Sequence, residues 1–119
     1  MAVRNYRDLV AWQRAMDLVV EIYGITKSFP RDEIFGLSSQ LRRAAVSIPS
    51  NIAEGQGRGA GNDFSRYLRI AQGSLQEVQT QLVIAQRLGY MNERKAAETM
   101  QRADEVARLL RGLNKSVSQ

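Results

Sequence analysis

Apolar residues return at alternating three- and four-residue steps through four separate stretches of this chain, and that spacing limits the fold more than anything else in it. A helix turns by about 100° per residue, so these steps keep side chains on one face. In the first stretch, about residues 6–27, Leu9, Trp12, Met16, Val19 and Tyr23 form the stripe, and Val20 and Ile22 widen it. Ser28, Phe29 and Pro30 end it, because the residue before a proline is pushed away from helical angles. The second, about 32–54, runs through Ile34, Leu37, Leu41, Ala45, Ile48 and Ile52. Asp32 is its expected cap, with Glu33 acidic in the first turn. Pro49 falls inside this pattern, and the stripe continues past it to Ile52. That predicts one kinked helix rather than two.

The third stretch, about 63–88, carries Phe64, Leu68, Ala71, Leu75, Val78, Leu82 and Ala85. Asn62 or Asp63 can cap it, and Gly89 stops it. The fourth, about 92–113, starts at a capping Asn92 and shows Ala96, Met100, Ala103, Ala107 and Leu110, with Val106, Leu109 and Leu113 in a second row. Nothing alternates as a strand would. Four amphipathic helices on short links predict an all-α, up-down-up-down antiparallel four-helix bundle. At 119 residues this is one domain, residues 1–119. The broad apolar rows of the first and fourth helices exceed one bundle seam, which points to a homo-oligomer.

Composition narrows the function. The chain has no Cys and no His, which removes disulfides, thiol nucleophiles, the usual zinc sites and any Ser-His triad. No cofactor or metal is expected. The opening MAVRNYRDLVAW lacks the apolar run of a secretory signal. No stretch approaches the roughly 18 apolar residues of a membrane span. With the missing cysteines, this predicts a cytoplasmic protein that does not associate with membranes. The net charge is +5, and arginine supplies fourteen of the seventeen cations. Arginine's planar fork suits phosphate and carboxylate, so the charge is compatible with a nucleic-acid partner, but many basic small proteins bind nothing anionic specifically and charge alone does not call for one.

The stretch SIPSNIAEGQGRGAGND, Ser47 to Asp63, allows three readings. As a phosphate loop it would use Gly55, Gly57, Gly59 and Gly61 before a helix start, but it has neither a G-K-[ST] nor a preceding strand. As a catalytic centre it would pair Glu54 with Glu77, but bundle di-metal sites use Glu-x-x-His and this chain has no His. As a structural element it would end one helix and cross to the next. Ser47, Ser50, Asn51 and Glu54 would then face Ser74 and Glu77 in a polar layer. In that layer Glu54 or Glu77 is expected to meet Arg43 or Arg69, and Ser47, Ser50, Gly73 and Ser74 would let the helices approach closely. The layer serves either to fix register or to contact a ligand or RNA. The structural reading leads, and no enzyme activity is expected.

The arginines divide into two groups. Arg42, Arg43, Arg58, Arg66 and Arg69 lie toward the crossing of the second and third helices and are the candidate nucleic-acid contacts. Arg58 sits in the glycine stretch, with its fork expected to be free for a phosphate. Tyr67 either stacks on a base or packs on the bundle. Arg102, Arg108 and Arg111 alternate with Asp104 and Glu105 and read as a solvated mixed-charge face.

The blocks LVAWQRAMDLVVEIY, FPRDEIFGLSSQLRRAAVSIPSNIAEGQGR, FSRYLRIAQGSLQEVQTQL and LGYM resemble the 23S rRNA intervening-sequence protein family, over roughly Tyr6 to Leu110. SIPSNIAEG and GSLQE carry the most specific likeness. The accessory protein of diversity-generating retroelements is a related branch. The resemblance implies a bacterial four-helix bundle assembled as a homopentameric ring. It also implies RNA or DNA binding, since the retroelement branch is basic and works with RNA and a reverse transcriptase. It brings no catalytic residues. A scaffold for a protein partner, without nucleic acid, is the alternative.

Overall fold

The computed structural model describes residues 5–59 and 61–118. Ala60 of the glycine stretch and the first four residues of the opening segment lie outside the described residues. Four helices carry the chain: α1 Val10–Thr26, α2 Leu37–Gly57, α3 Asn62–Arg87 and α4 Glu93–Val117. No strand occurs among the described residues. Each helix packs on its sequence neighbours, and α1 closes the ring against α4. The result is a four-helix bundle with extents of 43 × 25 × 19 Å.

The core follows from which row each helix turns inward. On α3 all seven expected stripe residues are buried, from Phe64 to Ala85. On α2 the stripe from Leu37 to Ile52 is buried, while Ile34 is exposed because it precedes the helix. Pro49 lies inside α2, which runs through it as a single helix.

On α1 the expected stripe holds in part: Leu9 and the widening Ile22 are buried and Trp12 and Val19 are half-buried against the core, but the fully inward row lies one position over. Ala11, Ala15, Leu18, Ile22 and Ile25 face inward, and Met16, Val20 and Tyr23 are exposed. The inward row keeps the same spacing but includes two alanines, so its bulkier neighbours look like the seam. On α4 the buried line is Ala96, Thr99, Ala103, Val106 and Leu110, with Met100 and Ala107 at its edge.

Helix ends differ from expectation for local reasons. The chain at Tyr6–Asp8 is a 3-10 turn rather than the start of α1. Asn5 caps it, accepting from the Arg7 N–H at 2.7 Å, and Leu9 is extended. Asp32 does not cap α2. It lies in a second 3-10 turn, Arg31–Phe35, set off by Pro30. Here Glu33 does the tying. Its Oε1 accepts from the Leu37 N–H at 3.0 Å, and its Oε2 accepts from the Tyr90 hydroxyl at 2.7 Å. One carboxylate thus joins the start of α2 to the α3–α4 link. Both hydrogen bonds, the backbone one first, hold its pKa below the ordinary carboxylate value.

Neither Asn62 nor Asp63 caps α3. The capping position is Gly61, at φ +84°. Gly89, at φ +79°, ends α3 as expected. Tyr90 N–H donates to the Ala85 carbonyl and Gly89 N–H to that of Gln86, the pair of bonds that closes a Schellman motif. Asn92 caps α4, accepting from the Lys95 N–H at 2.8 Å.

Candidate nucleic-acid interface

α2 and α3 cross where the glycine stretch joins them. Gly55 is buried, and a Cβ there would meet Tyr67 Cβ at 2.7 Å and Phe64 Cδ1 at 3.0 Å. The glycine is required by the approach of two backbones rather than by a turn. Gly59 and Gly61, at positive φ, make the turn itself. Gly73, expected to aid close approach, has nothing within 4 Å of its missing Cβ.

The polar layer is smaller than expected. Ser47 and Ser74 hydroxyls meet at 2.8 Å between the helices. Asn51 Nδ2 donates to the Ser47 carbonyl at 2.8 Å and to its hydroxyl at 3.0 Å. Ser50 turns outward and donates to the Val46 carbonyl. Glu54 and Glu77 are exposed and do not meet. The Gly55–Tyr67 contact sets Glu54 beside residue 67 of α3, ten residues from Glu77, or about 15 Å at 1.5 Å per residue. Glu54 pairs with Arg58 at 3.3 Å, not with Arg43 or Arg69. Arg69 Nη1 donates instead to the Ser65 hydroxyl at 3.0 Å.

The five candidate arginines fall in three places. Arg42 is half-buried, donates to Thr26 Oγ1 at 2.8 Å and lies 4.9 Å over the Tyr23 ring. Arg43 is exposed beside it, in a shallow groove with Ile34 and Val46. These two are sixteen and fifteen residues from Arg58 along the chain, over 20 Å by helical rise.

Arg58 and Arg66 cluster at the crossing, 5.3 and 5.0 Å from the Tyr67 ring centroid. Arg58 is therefore not free: its Nε is held by Glu54, which raises its pKa, with Tyr67 second among the causes. Its two terminal nitrogens are not used in that bond. Arg66 forms no ion pair among the described residues and stacks on Tyr67 alone. A guanidinium held over an aromatic ring keeps N–H donors that the ring does not use, which suits phosphate. Tyr67 is half-buried and has both guanidiniums close to its ring, which favours its packing on the bundle over stacking on a base. Arg69 sits on the side of α3 that faces α4, with Arg108 and Arg111 across from it.

The surplus apolar surface lies on the first helix as expected, but not on the fourth. The second row of α4 is buried or half-buried. Large apolar side chains are exposed at Val10, Met16, Val20 and Tyr23 of α1, at Ile34 and Phe35 before α2, at Val46 of α2, and at Ile70, Val83, Ile84 and Leu88 in and just after α3, with Phe35 94% exposed. No helix among the described residues is long and apolar enough to cross a membrane.

The 23S rRNA-intervening sequence protein family model matches residues 7–112. A crystal structure of a protein with unknown function from the S23 ribosomal protein family of Bacteroides thetaiotaomicron VPI-5482 aligns with a TM-score of 0.82 at 24% identity. The alignment covers 89% of this chain and 99% of that one, and at this identity it bears on fold alone. No curated protein matches the chain.

Proposed function

The chain belongs to the 23S rRNA-intervening sequence protein family, and from that premise we propose that it is a non-enzymatic, cytoplasmic, self-associating bundle that binds RNA through arginine contacts to phosphate. The observation that carries this is the pair Arg58 and Arg66 stacked on Tyr67 at one end of the bundle. Stacking orders two forks that would otherwise sample many rotamers, so less entropy is lost on meeting a phosphate. The net charge of +5 adds long-range attraction for a polyanion. Arg42 and Arg43, at the other end of α2, are a secondary contact. Self-association uses the exposed patch around Tyr23, Ile34, Phe35 and Val46, and a pentameric ring is the expected assembly from the family resemblance.

Contacts to phosphate carry no base information, so Arg58→Ala with Arg66→Ala should weaken binding alike across RNA sequences. Fluorescence anisotropy with several unrelated oligoribonucleotides tests this. A loss confined to one sequence, or none, would refute it. The same apolar patch favours a second reading, a scaffold for another protein. Recovery of one stoichiometric protein partner after nuclease treatment, with no RNA affinity, would select it.

A further inference from the structure

We propose that the groove between α3 and α4 is a binding site for ligands carrying consecutive phosphate groups, separate from the α2–α3 end. The groove has a volume of about 600 Å³, and Arg69 from α3 and Arg108 and Arg111 from α4 line it. All three side chains are exposed, and none makes an ion pair among the described residues. Arg108 and Arg111 are three residues apart on one helix, a spacing at which like charges repel. An anion between them relieves that repulsion.

Two further features fit a built site. Arg69 is positioned in advance: Nη1 donates to the hydroxyl of buried Ser65, which donates to Asn114 Oδ1 of α4 at 2.6 Å. Asp104, the carboxylate in the lining, opposes an anion, but its Oδ1 accepts from Gln79 Nε2 at 3.0 Å and it pairs with no arginine among the described residues, so the three guanidiniums remain unpaired. At Gly73 there is open space where a side chain would stand. No aromatic residue lines the groove, so it offers no ring on which a base could stack. The recognised chemistry is the phosphate run itself, whether of a free oligophosphate or of a nucleic-acid strand.

Calorimetric titration of the full chain with tripolyphosphate and with a short single-stranded RNA tests the site. It is run on the parent protein, Arg108→Gln/Arg111→Gln and Arg58→Gln/Arg66→Gln, with helicity checked by circular dichroism. Should the first double variant lose helicity, Arg108→Gln and Arg111→Gln are measured singly. The groove pair should lower tripolyphosphate affinity by roughly tenfold or more, as loss of charge-assisted bonds does. The crossing pair should lower it less than the groove pair does. If RNA alone binds, with the same loss in the groove pair, the phosphates belong to a strand and the site stands. If the groove variants bind both anions as the parent does, the site is overturned; a loss confined to the crossing pair then leaves the α2–α3 reading intact. Failure of the parent to bind either anion overturns both.

Discussion

Replacing Gly55 with alanine sets two effects of opposite sign against each other. In an open helix interior alanine is favoured over glycine by about 0.8–1 kcal/mol. At Gly55 the added Cβ would stand 2.7 Å from Tyr67 Cβ and 3.3 Å from the Phe64 carbonyl oxygen, atoms fixed by the α3 backbone. Ordinary contact begins near 3.4 Å, so the two helices must part by about 0.7 Å at the tightest point. Overpacking of this kind costs about 1–3 kcal/mol. Set against the propensity gain, Gly55→Ala should destabilise the protein by up to about 2 kcal/mol.

Gly73 and Gly112 serve as controls, since nothing lies within 4 Å of either missing Cβ. Alanine at each should stabilise by about 0.5–1 kcal/mol. Urea unfolding followed by circular dichroism, at one fixed protein concentration, reads all three. The midpoint should fall for Gly55→Ala and rise for the controls. If Gly55→Ala is as stable as Gly73→Ala, the close crossing of α2 and α3 is wrong. The placement of Arg58 against Tyr67 goes with it.

Ser47→Ala should cost about 1–2 kcal/mol, because it strands the Ser74 hydroxyl, whereas Ser47→Ala with Ser74→Ala should cost less than the two singles together; additive urea midpoints would contradict the pairing. Glu33 has a lowered pKa, so its stabilisation is complete above the ordinary value of 4.5 and drains as pH falls through the lower folded value. Melting temperature should therefore drop with acidification below 4.5 less steeply in Glu33→Gln than in the parent, and equal slopes would count against it. Glu21 links α1 to Arg102 at 2.9 Å and Lys95 at 3.8 Å, but both cations are about half exposed and its Oε2 is buried without a partner. Glu21→Ala should thus change stability by less than about 1 kcal/mol, and a larger loss in urea would show that this ion pair is stronger than its exposure allows.

How much was legible in the sequence depended on whether one row or two looked apolar. On α3 one row, Phe64 to Ala85, kept its spacing unbroken over the whole helix, and all of it is buried, while Ile70, Val83 and Ile84 outside it are exposed. On α1 two neighbouring rows competed. The inward one held Ala11 and Ala15, so bulk favoured the outward row. Thr99 escaped notice because it is polar by type; its hydroxyl is satisfied by the Lys95 carbonyl, so it is buried without penalty. Gly55 looked like a helix stop. Its role depends on Phe64 and Tyr67 arriving from another helix, which no local pattern encodes. The same holds for Glu33, whose partner Tyr90 is 57 residues away. The candidate arginines were correctly seen as numerous, but their grouping follows from helix rotation. Length along α2 parts Arg42 and Arg43 from Arg58 and Arg66, and the rotation of α3 brings Arg69 to Arg108 and Arg111. Arg102, Asp104, Glu105, Arg108 and Arg111 are all exposed, the solvated mixed-charge face read from the sequence, but which of these charges pair was not legible: Arg108 and Arg111 form no ion pair among the described residues.

The most direct test of the proposed role is RNA and DNA binding by the purified protein across a salt series, with its mass in solution measured in the same buffers. The account predicts an oligomer whose affinity falls as salt rises, with a log–log slope of about −0.7 for each phosphate neutralised on a single strand. Absence of binding at low salt, or an affinity that salt leaves unchanged, would contradict it and leave the positive charge incidental to a protein scaffold.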